Sequence, residues 1–143
     1  MRVLLLTPHI EAAIPLSMHG ETLAMSVSDM NWEENKNYDF VIAYGYRHII
    51  KEPFLSLYKD RIFNIHTSFL PWNRGAHPNF WSWFDDTPKG VTIHHVTRII
   101  DTGDIVAQKQ VIFPVKGHET LATTYEQLHD SAVDLLKHMW PVI

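Results

Sequence analysis

The apolar positions of the first half fall into short, near-continuous runs. Val3–Thr7 is a β-type run that stops at Pro8, and Thr22–Val27 reads as a second strand. Phe40-Val41-Ile42-Ala43-Tyr44 reads as a third strand ending at Gly45, and Arg61–Ile65 as a fourth. Shorter helical candidates lie between them. These are Glu11–Met18, broken at Pro15 or ended by Gly20, and Glu52–Tyr58, with Pro53 suited to the first turn. A polar stretch, Ser28–Asn37, links the second and third strands. Apolar strands alternating with helical segments predict a parallel sheet covered on both faces.

The second half changes rhythm. Val91–Thr97 and Ile105–Phe113 are β-rich runs joined through Asp101-Thr102-Gly103-Asp104, which is good turn chemistry. They predict an antiparallel pair at one side of the sheet. From Thr120 onward, Leu121, Tyr125, Leu128, Ala132, Leu135, Leu136 and Met139 fall at helical spacing. That stripe predicts a long C-terminal helix packed on the sheet, with Thr123 and Glu126 as a capping box and Pro141 as its end. The expected fold class is α/β and Rossmann-like: a mostly parallel sheet, an antiparallel β hairpin and a long C-terminal helix.

Length and composition narrow the function classes. With 143 residues and no repeat or linker, one domain spanning 1–143 is expected. The formal net charge of −4 offers no electrostatic footing for nucleic acid or an anionic membrane, so neither partner is expected. The absence of cysteine excludes disulfides, thiolate nucleophiles and Cys-ligated zinc. It is compatible with a reducing cytoplasm, the expected location. The N-terminal apolar run Val3–Leu6 is too short for a signal peptide and is followed by Pro8, His9 and Glu11. No segment approaches the ~18 apolar residues of a membrane span.

Several chemistries lack their motif. No GxGxxG or GxxxxGK[ST] pattern follows the first strand, where Thr7-Pro8-His9-Ile10-Glu11 stands instead. No HExxH occurs, and His94 and His95 are adjacent on a predicted strand and face opposite sides, so no metal is expected. Ser68 lacks the GxSxG elbow. What stands out is Phe63-Asn64-Ile65-His66-Thr67-Ser68-Phe69-Leu70-Pro71, an apolar strand that ends in an amide and an imidazole two residues apart. Asn64 and His66 project to one face at the carboxyl end of a strand, where open α/β sheets gather reacting groups. Asp101 lies in the loop between the two later β runs. An amide N–H and an imidazolium form a donor pair for a developing oxyanion, and a carboxylate nearby raises and orients the imidazole. From spacing alone, the same residues serve equally as strand-end caps.

The motifs extend further, to Arg74-Gly75, Gly90-Val91-Thr92-Ile93-His94 and Asp101-Thr102-Gly103-Asp104-Ile105-Val106-Ala107-Gln108. Together they resemble the 10-formyltetrahydrofolate-dependent formyltransferases, which include glycinamide ribonucleotide, methionyl-tRNA and sugar N-formyltransferases. The family signature is an N-x-H-x-S-x-L-P strand end, a G-x-T-x-H strand and a D-x-G loop. The resemblance runs from about Asp39 onward and is weaker before it. It implies a formyltransferase fold and transfer of a formyl group from 10-formyltetrahydrofolate to a primary amine, with no metal. Asn64 and His66 would be the oxyanion donors. Asp101 would hold His66 charged and pass a proton from the attacking amine to the departing cofactor nitrogen.

The resemblance also implies a pterin site between two loops, Arg47-His48-Ile49-Ile50 after Tyr46 and Val96-Thr97-Arg98-Ile99-Ile100. Trp72, Asn73, Arg74 and His77, in the aromatic-rich stretch Trp72–Phe84, are the acceptor-site candidates. That stretch is more like the sugar and transfer-RNA enzymes than the purine enzyme. Thr7-Pro8-His9 lacks the Gly-rich phosphate turn of the ribonucleotide enzymes, and the chain lacks the basic balance of the transfer-RNA enzymes. A nucleotide-linked amino sugar is therefore the expected acceptor, and a homodimer is compatible with the resemblance. Competing readings are a 10-formyltetrahydrofolate hydrolase, a formyltransferase acting on glycinamide ribonucleotide or methionyl-tRNA, and a non-catalytic folate-binding module. The chain stops soon after the long helix, where sugar enzymes usually continue, so a minimal enzyme and a fragment are both open.

Overall fold

The structure, a computed structural model, describes residues 1–114 and 117–143. Six strands form one sheet: β1 (Arg2–Leu6), β2 (Thr22–Ser26), β3 (Phe40–Tyr44), β4 (Ile62–His66), β5 (Gly90–His95) and β6 (Ile105–Gln110). Their order is β2-β1-β3-β4-β5-β6. The first four strands run parallel, while β4–β5 and β5–β6 pair antiparallel. The helices are α1 (Ala13–Met18), α2 (Phe54–Leu57), α3 (Pro78–Phe84) and α4 (Leu121–Met139). Among the described residues no helix is long and apolar enough to cross a membrane.

Alternation along each strand divides the core in two. Val3, Leu5, Ile42, Phe63, Ile65, Val91 and Ile93 pack with Leu16 of α1 and with Leu128, Ala132, Leu135 and Leu136 of α4. Leu4, Leu6, Val41, Ala43 and Ile62 face the other way and pack with Phe54 and Tyr58 around α2. Burial on both faces explains why β1 and β3 are apolar without interruption. On β4 and β5 the second face turns polar, with Asn64, His66, Thr92 and His94. There the register sets Asn64 opposite His94 and His66 opposite Thr92. The antiparallel turn of the sheet at β4 thus brings two sequence motifs side by side.

Three expectations about local structure need correction. The capping box of α4 uses Thr120 and Thr123: the Thr123 N–H donates to Thr120 Oγ1 (3.1 Å), and the Thr120 N–H donates to Thr123 Oγ1 (2.9 Å). Glu126 takes no part because the helix begins one turn earlier than a Thr123 cap requires. The stripe on α4 also starts later than its spacing suggests. Leu121 and Tyr125 are 48% and 45% exposed, while Thr124 is buried in their place. Its hydroxyl donates to Asn79 Oδ1 (3.1 Å), and Asn79 Nδ2–H donates to the Leu121 carbonyl (3.0 Å), so a polar clasp joins α3 to α4. Finally, α3 lies within the stretch Trp72–Phe84, where no helix was expected. Pro78 opens it at the first helical position, where its missing N–H costs nothing.

Candidate active site

Asn64 and His66 stand two residues apart on β4 and share a face with His94 on β5. The third member arrives from the loop between β5 and β6. Asp101 has φ 54°, the left-handed region in which Asp is one of the tolerated residues. Gly103 lets that loop lie against the end of β5, because a Cβ there would fall 1.8 Å from the His95 carbonyl oxygen. Asn73 (φ 56°) and His77 (φ 53°), on the facing segment, are also left-handed. Non-glycine residues in this region cost about 1–3 kcal/mol each, so packing and hydrogen bonds around them must hold the geometry.

The Gly75 N–H donates to Asp101 Oδ2 (2.8 Å), fastening the segment after β4 to the β5–β6 loop. His66 Nε2 lies 2.9 Å from the Asn73 carbonyl, which can only accept, so Nε2 carries a proton. It is also 3.6 Å from Asp101 Oδ2. By the same reasoning His94 Nδ1–H donates to the His95 carbonyl (2.8 Å). His94 Nε2 then faces Asn64 Nδ2 at 3.2 Å and Asp101 Oδ1 at 3.4 Å. In the neutral ring Nε2 accepts from the amide, and in the charged ring it donates to the carboxylate. Asn64 Nδ2–H also reaches Asp101 Oδ1, at 3.5 Å.

Charge in this cluster is set by burial against local partners. The side chains of His66 and Asp101 are only 10% and 7% exposed. Burial pushes the His66 imidazole below its ordinary range, and this outweighs the opposing pull of Asp101 and of the Asn73 carbonyl. Burial also works against the Asp101 carboxylate. There, however, His94, His66 and the Gly75 N–H together win and hold the carboxyl below the usual carboxylate range. The resting pair is therefore a carboxylate beside a neutral imidazole. This differs from the expectation that Asp101 keeps His66 charged, because desolvation of a nearly buried ring exceeds the attraction across 3.6 Å.

The remaining motif residues build the frame. Ser68 Oγ–H donates to the Trp72 carbonyl (2.7 Å), and Thr92 Oγ1–H donates to the Ser68 carbonyl (2.8 Å). Gln108 Nε2–H donates to the Leu70 carbonyl (2.6 Å) and to Thr92 Oγ1 (3.0 Å). Ser68, Thr92 and Gln108 therefore clamp the segment that follows β4.

The cluster opens into a cleft of about 1050 Å³. One wall is formed by Arg47, His48, Ile49 and Ile50 after β3 and by Val96, Thr97, Arg98 and Ile100 after β5. These are the expected pterin-loop residues, except that Ile99 is outside the lining and 68% exposed. Its carbonyl instead accepts from the Thr97 and Thr102 hydroxyls (3.0 and 2.8 Å), which tightens the loop. Of the acceptor-site candidates only His77 lines the cleft. Trp72 and Arg74 are exposed outside it, and Asn73 turns its side chain to the Thr87 hydroxyl (2.7 Å). The lining also contains residues that sequence reasoning missed: Phe80 of α3, Leu121 and Tyr125 of α4, Tyr44 at the end of β3, and His9 in the segment after β1. His94 was missed as a site residue as well, although the G-x-T-x-H motif contained it.

Comparison with known proteins follows the same lines. Residues 26–139 match the family model described as formyl transferase. The formyltransferase PseJ from Anoxybacillus kamchatkensis superposes with a TM-score of 0.92 and 37% identity, over 99% of this chain and 76% of that one. Its structure is a complex with UDP-4,6-dideoxy-4-formamido-L-AltNAc and tetrahydrofolate. A sugar N-formyltransferase from a Shewanella species shares the fold at 22% identity and a TM-score of 0.80, over 98% of this chain and 68% of its own. Phosphoribosylglycinamide formyltransferase from Bacillus halodurans does so at 23% identity and 0.76, over 96% and 92%.

Proposed function

The chain belongs to the formyl transferase family, and we propose that it transfers the formyl group of 10-formyltetrahydrofolate to a primary amine on a nucleotide-linked amino sugar. One observation carries this reading: Asn64 and His66 each come within 3.6 Å of Asp101, 37 residues apart at the extremes, in the lining of a cleft of about 1050 Å³. The acceptor class is supported by 37% identity to PseJ, whose structure holds a UDP-linked formamido sugar. The formyl donor is supported by the tetrahydrofolate in that same complex and by the cleft wall here. Ile50, Val96 and Ile100 offer apolar surface, and the backbone of both loops offers edge-on donors and acceptors, which together suit a flat heterocycle.

The donor supplies an activated formyl carbon to the attacking amine. The residues of this chain manage the charge that follows. Negative charge develops on the formyl oxygen, and preorganised N–H groups lower its energy. Asn64 is placed to give one. Its N–H toward Asp101 is the longer of its two bonds, at 3.5 Å, and is the cheaper one to redirect. His66 starts neutral. Its Nε2–H, already present in the neutral ring, is the second donor to that anion. Asp101 stays ionised and is the group able to receive the amine proton, directly or through one water, and to return it to the donor nitrogen as the bond between that nitrogen and the formyl carbon breaks and tetrahydrofolate leaves.

The test is formyl transfer from 10-formyltetrahydrofolate to a panel of nucleotide-linked amino sugars, alongside formate release without amine. Asn64→Ala and His66→Ala should each lower the rate by about 10²–10³ and leave the circular dichroism spectrum unchanged. Near-full transfer by either variant would sink the role assigned to it. Formate release with no transfer to any amine would point to hydrolysis instead.

A further inference from the structure

Beside the cleft, and reaching it through His9, stands a second cluster of ionisable groups that formyl transfer does not use. His9 follows β1, Glu11 lies in the short turn Ile10–Ala12, and His129 projects from α4. One ligand-capable atom of each lies within 4.8 Å of the others. We propose that His9, Glu11 and His129 bind a divalent transition-metal cation of the Zn²⁺ type, with one coordination position left open toward the cleft.

The surroundings are built for this. His129 Nδ1 lies 2.6 Å from the Tyr44 hydroxyl, and the two rings stack at 5.5 Å with an 11° tilt. Tyr44 therefore fixes the ring through one nitrogen and aims the other, Nε2, at Glu11 Oε2, 3.7 Å away. A fixed outer nitrogen is the usual arrangement of a ligating histidine. That 3.7 Å is too long for a hydrogen bond. When Nδ1–H donates to the phenol, a lone pair faces a carboxylate across the gap, and a cation between them resolves the repulsion.

His9 completes the set. Its ring packs 4.7 Å from Tyr44 and 4.8 Å from His129. It fits there because residue 45 is glycine: at Gly45 (φ +66°) a Cβ would sit 2.9 Å from His9 Nε2. Two imidazoles and one carboxylate are the ligands of an open zinc site, with water or substrate in the fourth position. Bonds of about 2.0–2.1 Å would require the three ligand atoms to close to about 3.4 Å of one another. Glu11, 55% exposed, is free to make that movement, while His129, 16% exposed and held by Tyr44, provides the fixed point. His9 lines the cleft, so a site on its ring borders that cleft.

The experiment is calorimetric titration of the full chain with Zn²⁺, and with Co²⁺ followed by its visible absorption. One equivalent should bind, with a Co²⁺ spectrum of a four- or five-coordinate nitrogen–oxygen site. His9→Ala and His129→Ala should abolish that equivalent. Tyr44→Phe should weaken it by about tenfold or more through lost ring orientation. His138→Ala, an exposed histidine on the same helix, should change nothing. The proposal is overturned if no equivalent binds up to about 0.1 mM metal, a Kd giving only some 5 kcal/mol. It is equally overturned if binding survives both His9→Ala and His129→Ala, which would mark scattered surface histidines as the ligands. Formyl transfer is read separately from metal binding, so failure here leaves the reading of Asn64, His66 and Asp101 untouched.

Discussion

The two ends of the cleft hold their polar groups by different means. At the Asp101 end each carboxylate oxygen has a partner, with Gly75 and His66 on one and His94 and Asn64 on the other. The three side chains among these four partners come from a two-strand register that cannot slip without unseating β5. At the His9 end the contacts are looser. Tyr125 reaches His9 Nε2 at 3.4 Å, and Glu11 reaches His129 at 3.7 Å from an exposed position. Only the Tyr44–His129 bond is short and shielded. A saturated, buried network serves a fixed geometry, as transition-state stabilisation demands. A loose end tolerates a ligand that varies in position. The contrast predicts that substitutions at the first end act on rate, and those at the second on affinity.

The largest test of that contrast is Asp101→Ala. Removing the carboxylate takes away the proton acceptor and four anchoring contacts, so kcat should fall by about 10²–10⁴. His9→Ala, assayed alongside, should act on the acceptor KM and leave kcat nearly unchanged. If the two variants lose kcat equally, the ends of the cleft are not functionally distinct.

Next in size is Gly103→Ala, which probes the frame and not the chemistry. A methyl group would collide with the His95 carbonyl at 1.8 Å, and backbone cannot rotate away as a side chain would. The loop must shift, at a cost of about 1–3 kcal/mol, read from the urea midpoint. Because Asp101 rides on that loop, kcat should drop too. Full stability in this variant would show that the loop is not seated as described.

A subtler effect comes from pH. His66 has its pKa lowered from the ordinary value of about 6.5, so below that pH the unfolded chain binds more protons than the folded one. Stability from this residue is present above pH 6.5 and is lost as pH falls through the folded value. Asp101, also lowered, acts in the same direction further into acid. The melting temperature should decline as pH falls from about 7, and His66→Gln should flatten the upper part of that decline. An unchanged profile in the variant would mean that the imidazole is not held neutral by burial.

The same contrast explains what the sequence made legible. Asn64, His66 and Asp101 were singled out by their strand-end and tight-loop positions, but spacing alone left them equally readable as caps, and only the resemblance made them candidates for chemistry. The parallel and antiparallel halves followed from unbroken apolar runs and from the Asp-Thr-Gly-Asp turn. His94 was hidden by its burial-compatible alternation with Thr92, which reads as an ordinary strand. The charge on His66 was hidden too, because spacing shows a carboxylate partner but not the desolvation that opposes it. At the other end, His9 and His129 are 120 positions apart in chain order and meet only when α4 crosses the sheet. No local motif could announce that pairing. Tyr125 was read as core for a similar reason, since helical spacing shows a stripe without showing where its neighbour ends.

Tyr125→Phe should give the smallest effect and the sharpest reading of the loose end. The ring stays, so cleft shape and the packing of α4 are retained, and only the hydroxyl is lost. Its hydrogen bond among the described residues is the 3.4 Å approach to His9 Nε2, near the limit of such a bond and exposed to water. A typical net hydrogen bond contributes about 0.5–1.5 kcal/mol, and this long, wet one belongs at or below the lower bound. A stability change of about 0.5 kcal/mol or less and an acceptor KM change of about twofold are expected, with kcat constant. A larger KM change would mean that the hydroxyl contacts the acceptor itself and not merely His9. A fall in kcat would mean that the His9 end is mechanically coupled to the Asp101 network after all. In that case the clasp of Asn79 and Thr124 is the route to examine, because it ties the first turn of α4, where Tyr125 sits, to the helix that follows Gly75.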